Sequence, residues 1–103
     1  MHLNKYQIEA YETALYQHTM YPIVSLGVEA AELADLFIKP RLRGDGKQPT
    51  VQEIIGEAGD VLWNLAALLQ DEGITLEEVA IANLDKLRDR KARGVLQGNG
   101  GGR

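Results

Sequence analysis

The sequence predicts an all-α protein, an antiparallel bundle of about four helices that a second copy of the chain completes. Apolar residues recur at helical spacing, and no stretch alternates in the way of a strand. Thr50 with Glu53, and Thr75 with Glu78, form two capping boxes that each open a periodic segment. The stretch from Gln52 to Gln70 has apolar or small residues on every side except for one file of acids. A helix of that kind is buried, and three other short helices are too few to cover it.

The elements follow in order. Asn4 can cap a first helix running from Lys5 to about His18, with Ile8, Tyr11 and Leu15 along one side. Pro22 closes the connection and permits a second helix, roughly Ile23 to Lys39, whose apolar residues occupy most of its circumference. Pro40 is expected to stop it. The next residues, Arg41 to Pro49, are a loop by composition; Lys39, Arg41, Arg43 and Lys47 make it basic, which could draw in a triphosphate or simply leave a solvated loop, and Asp35 is read as a neighbour of Lys39. Thr50 opens the third helix and Gly73 ends it. Thr75 opens a fourth that carries Leu76, Val79, Ala80, Leu84 and Leu87 and frays near Gly94.

A chain of 103 residues, 45% hydrophobic and 25% charged, fits one soluble globular domain. We place that domain at residues 1–97 and expect the glycine-rich tail at 98–103 to be flexible. Without cysteine there is no disulfide scaffold, thiol chemistry or zinc–thiolate site. A formal charge of −4 argues against general nucleic-acid binding, although Lys86, Arg88, Arg90, Lys91 and Arg93 concentrate positive charge near the end of the fourth helix. No apolar run is long enough for a membrane span and no signal peptide is evident, so the expected location is cytoplasmic.

Function is suggested by the acids. Glu29 and Glu32 are three apart on the second helix, and Glu57 and Asp60 are three apart on the third, so each pair shares a face. Joined by a short loop, the two helices should form an antiparallel hairpin with both pairs at matching depth, roughly 9 to 15 Å from the turn at about 1.5 Å per residue. Four ionised carboxylates so close repel one another strongly, and a cation among them resolves the conflict. Ligands that are all oxygen suit Mg²⁺, with Mn²⁺ as a substitute, and a substrate bearing phosphates would complete the coordination shell.

The pattern resembles the MazG-like nucleotide pyrophosphohydrolases, an all-α family that includes dimeric dUTPases and phosphoribosyl-ATP pyrophosphohydrolases. The resemblance rests on three stretches: Gly27 to Leu33, Glu57 to Trp63, and Asn83 to Arg90. It implies Mg²⁺-dependent hydrolysis of a nucleoside triphosphate, deoxy or ribo, between the α and β phosphates, giving a monophosphate and pyrophosphate. A role in cleaning the nucleotide pool would follow. Glu29, Glu32, Glu57 and Asp60 would be the metal ligands, with Glu32 or Glu57 taking a proton from water. Lys86 and Arg90 would contact phosphate. Val28 departs from the pattern, since many members carry a second adjacent acid there.

Other residues are read beside these. Lys86 and Arg90 share a face, as phosphate ligands should, although basic residues near a helix C-terminus also satisfy the macrodipole. Asn83 could join them. Asn64 extends the acidic file by one turn, to touch a sugar or base or to make a buried hydrogen bond. Trp63 could stack on a base, but it lies on the glycine face and is expected to pack. Gly56 and Gly59 each cost about 1 kcal/mol against alanine within a helix, a cost explained if a second chain packs there. We therefore expect a homodimer or a dimer of dimers.

Two other readings compete. A di-iron carboxylate bundle needs Glu-x-x-His on two helices, and neither His2 nor His18 follows a Glu at that spacing. A non-enzymatic dimerisation or nucleotide-binding module would keep the acids without turnover.

Overall fold

A computed structural model describes residues 2–94 of the chain; the tail at 98–103 lies outside them. Four helices, α1 (Leu3–Tyr11), α2 (Met20–Arg43), α3 (Val51–Asp71) and α4 (Leu76–Ala92), make up the described fold, and no strand occurs in it. The all-α expectation holds. α2 and α3 form the central hairpin, and α1 packs against both α3 and α4.

Both capping boxes form as expected. Thr50 accepts from the Glu53 amide while Glu53 accepts from the Thr50 amide, and Thr75 and Glu78 repeat the exchange. Each box satisfies amides that the first turn of a helix leaves without partners.

Several boundaries differ from expectation. α1 begins after His2, which makes no side-chain cap, and ends at Tyr11 rather than near His18. Asn4 lies inside α1, where its side chain accepts from the Glu77 amide and donates to the Glu77 carboxylate, so it caps α4 and not its own helix. α2 starts at Met20, and Pro22 occupies its first turn, where the missing N–H has no helical partner to lose. Pro40 does not stop α2. The helix runs on to Arg43, because so near the end a proline removes only one remaining helical bond. It closes at Gly44, whose left-handed φ of 69° suits a residue without a side chain.

Gln7 is the polar keystone of the short helices. Its side-chain amide donates to the Ala66 and Ile74 carbonyls, and its oxygen accepts from the Leu76 amide. Almost wholly buried, it ties α1 to the α3–α4 turn and leaves none of its polar atoms unpaired.

Burial falls short of what the sequence led us to expect of α2 and α3. Among the described residues only Pro22, Ala66, Ala67 and Leu76 are buried apolar side chains. Val51 and Ile55 on α3 are each 65% exposed, and Val24, Val28, Phe37 and Ile38 on α2 are exposed too. A Cβ built on Gly27, Gly56 or Gly59 meets nothing within 4 Å. The radius of gyration is 16.6 Å, against roughly 13 Å for a compact domain of this length. Four helices cannot enclose one another's apolar faces, and here those faces stay open.

Candidate metal centre

The hairpin sets the acids face to face. Both pairs lie on long, capped helices, so their depth is fixed by the turn and their direction by the helical period. One carboxylate oxygen each of Glu29, Glu57 and Asp60 falls within 4.8 Å of the others. Glu29 and Glu57 are half-buried, whereas Asp60 and Glu32 are exposed.

Crowding is written into their acidities. Desolvation is the first cause that pushes the Glu29 carboxyl above its ordinary range, followed by the charges of Glu32 and Asp60, a hydrogen bond with Glu32 and the charge of Glu57. Glu57 is pushed up by desolvation, then by Glu32 and Asp60, and by its own hydrogen bond with Glu32. Three of the four acids, Glu29, Glu57 and Asp60, thus come together; Glu32 raises both glutamates but offers no oxygen to that 4.8 Å group. No cation of the chain enters among these causes.

Two of the oxygens are orphans. Glu29 Oε2 and Glu57 Oε2 are buried without a hydrogen-bond partner among the described residues. A buried, unpartnered carboxylate oxygen is costly and rare in a finished structure. A divalent cation is the group that would satisfy both at once, and an all-oxygen donor set is what such hard cations prefer. The residues present thus fit a metal.

A small open cavity of about 270 Å³ adjoins the acids, lined by Glu32, Asp35, Leu36, Lys39 and Glu57. Lys39 pairs with Asp35 at 3.5 Å and also lines the neighbouring cavity, beside Arg43 and Lys47. The basic loop foreseen from the sequence is therefore continuous with the acid site. Lys39 pairs with Asp35 as its spacing led us to expect: Glu32, Asp35 and Lys39 recur at three or four residues.

The fourth helix is placed differently. α4 packs against α1, and Lys86 and Arg90 form no ion pair with the acids among the described residues. Arg90 is half-buried, and Asn83 and Lys86 are exposed. Asn64 is buried one turn beyond Asp60; its amide nitrogen donates to the Asp60 carbonyl at 2.8 Å, while its Oδ1 has no partner among the described residues. Trp63 packs as expected and donates to the Thr13 hydroxyl.

A helical hairpin that brings three acids together, two of them with buried, unpartnered oxygens, defines an all-α domain that could hold a cation. Comparison with known proteins gives the family. Residues 19–95 match the MazG nucleotide pyrophosphohydrolase domain. The gene 37 protein of Mycobacterium phage L5 is 36% identical over 114 residues, an alignment that covers all of both chains. No solved structure matches the chain. The chain belongs to the family of MazG nucleotide pyrophosphohydrolase domains.

Proposed function

We propose that the protein is a Mg²⁺-dependent nucleoside triphosphate pyrophosphohydrolase that cleaves between the α and β phosphates. The observation that carries this reading is the pair of orphaned oxygens on Glu29 and Glu57, which form a close triplet with Asp60. Glu29, Glu32, Glu57 and Asp60 would hold the metal, which supplies positive charge to phosphate oxygens and acidifies water.

The chain's own residues do the remainder. Lys39, at the mouth of the acid-lined cavity, binds a phosphate oxygen. Water attacks the α-phosphorus, the bond from that phosphorus to its bridging oxygen breaks, and pyrophosphate leaves with the electron pair. The water's proton passes to a carboxylate. Glu32 suits that task, being exposed to the cavity and outside the close triplet of Glu29, Glu57 and Asp60. Asn64 Oδ1 accepts from a donor on the substrate's sugar or base, which would end its isolation.

Lys86, Arg90 and Asn83 contact phosphate only in an assembled protein. The open apolar residues of α2 and α3, together with the uncovered Gly56 and Gly59, support a homodimer or dimer of dimers in which a second copy packs on the hairpin. The natural setting is the cytoplasm, with deoxynucleotides or altered nucleotides of the free pool as substrates. No described helix is long and apolar enough to cross a membrane.

Product analysis tests the reading. With each dNTP and Mg²⁺, the expected products are monophosphate and pyrophosphate. Release of orthophosphate and diphosphate, or no turnover at all, would overturn it.

A further inference from the structure

The acid site opens toward the hairpin turn. Its cavity and a second one of about 210 Å³ share Asp35, Leu36 and Lys39 as lining residues, so the two are chambers of one cleft that runs along α2 from the acids to the loop. Positive charge gathers along that cleft. Lys39 stands seven residues past Glu32, roughly 10 Å along the helix, and Arg43 eleven, roughly 16 Å, at about 1.5 Å per residue. Helical side chains tilt toward the N-terminus, so both lean back toward the acids. Lys47 and Gln48 line the far chamber from the loop.

The far chamber has a fixed frame. Gly44 and Gly46, both at φ 69°, turn the backbone on either side of Asp45. The Asp45 carboxylate accepts from Arg43 Nε at 2.7 Å and from the Lys47 amide at 3.0 Å, and these bonds hold it below its ordinary range. They fix the loop and leave both Nη groups of Arg43 without a hydrogen-bond partner among the described residues. The acids of the chamber are engaged in turn. Asp35 pairs with Lys39 at 3.5 Å, and Glu53 accepts from the Thr50 amide. Lys47 makes no ion pair among the described residues, so the charge left over in the chamber is positive.

We propose that this chamber receives a fourth phosphate, so that the enzyme takes nucleoside 5′-tetraphosphates in preference to triphosphates. The inference rests on the acid site cleaving nucleotides at the α-phosphorus. With that phosphorus at the acids, the third phosphate lies within the sweep of Lys39. Arg43 stands about 6 Å further along α2, where a triphosphate has ended and a fourth phosphate comes within reach of Arg43 and Lys47. A guanidinium with both Nη groups free offers a fork to the oxygens of one phosphate, and Lys47 adds a point charge. The chemistry at the acids is unchanged. Water attacks the α-phosphorus, its proton passes to a carboxylate, and the bond to the bridging oxygen breaks. Tripolyphosphate then leaves with the electron pair in place of pyrophosphate.

The full-length protein is assayed with Mg²⁺ on the 5′-tetraphosphate and the 5′-triphosphate of the same deoxynucleoside. Binding of their α,β-methylene analogues is measured by calorimetry in parallel. KM for the tetraphosphate is expected to be about tenfold lower, the order of one charge-assisted hydrogen bond, with monophosphate and tripolyphosphate as products. Lys47→Ala should bring the ratio of the two KM values close to one, and Lys47→Arg should restore it. Loss of folded protein would leave that ratio untouched. Cleavage of the triphosphate with no advantage for the tetraphosphate, or an advantage that survives Lys47→Ala, would overturn the fourth-phosphate subsite and leave the acid site standing. Tighter, Lys47-dependent binding of the tetraphosphate analogue without cleavage of either nucleotide would do the reverse. Free phosphate is the other source of the same chemistry. A tethered fourth phosphate outcompetes it through its effective concentration, so the advantage should persist in added inorganic phosphate. Its loss there, with triphosphate binding unchanged, would assign the chamber to a free anion and overturn the tetraphosphate preference.

Discussion

Glu29 and Glu57 each keep one carboxylate oxygen away from both water and any donor, and their acidities record it. Their folded-state values are raised, so without metal the native protein binds protons that the unfolded chain releases. Their contribution to stability is present below the ordinary carboxylate value and is lost as pH rises through the raised values. Thermal melts in chelator between about pH 4 and pH 8 should show the midpoint falling across that window. Glu57→Gln should flatten the decline and raise the metal-free midpoint at neutral pH. The same variant should lose roughly 10²-fold or more in turnover, as removal of a carboxylate serving metal and proton transfer implies. Gln7 carries a structural prediction. Gln7→Ala strands the Ile74 carbonyl and the Leu76 amide and removes a second donor from the Ala66 carbonyl, and should destabilise the fold by about 2–3 kcal/mol in denaturant unfolding with activity per folded molecule unchanged.

At the scale of the element, the hairpin accounts for the site because two long helices fix the depth of the acids and one short loop fixes their register. Thr50→Ala removes one side of the α3 capping box and should cost about 1 kcal/mol by denaturant unfolding, since the Glu53 amide loses its acceptor. The hairpin was legible in sequence for local reasons: Thr50 and Glu53, like Thr75 and Glu78, declare helix starts within four residues, and acids three apart declare a common face. The misreadings were equally local in cause. Asn4 looks like a cap, yet its partner is the Glu77 amide, 73 residues away. Pro40 looks like a stop, but a proline in a last turn removes one bond only. Trp63 was legible as a packing or stacking residue, but its neighbours were not: Tyr16, Tyr21 and Asp71 share no periodicity with it and gather only when α1 and its connection fold back over α3.

The molecule as a whole exposes more apolar surface than a lone domain should, with a radius of gyration of 16.6 Å and open space above Gly56 and Gly59. If the chain stood alone, Gly56→Ala and Gly59→Ala would each stabilise α3 by about 1 kcal/mol. If a second copy packs on that face, the added methyl groups should instead weaken assembly, and sedimentation at micromolar concentration should show the variants shifting toward monomer. We expect the shift. A wild-type chain that sediments as a monomer and gains stability from both substitutions would remove the second copy from the account.

The most direct test of the central claim is a titration of the metal-free protein with Mg²⁺, read as the thermal midpoint of the wild type beside that of the Glu29→Gln/Glu57→Gln double variant. The wild-type midpoint should climb with Mg²⁺ concentration as the buried oxygens gain their cation, and the variant's should stay flat. Equal responses from the two proteins, or none from either, would contradict the claim that these acids are a metal site.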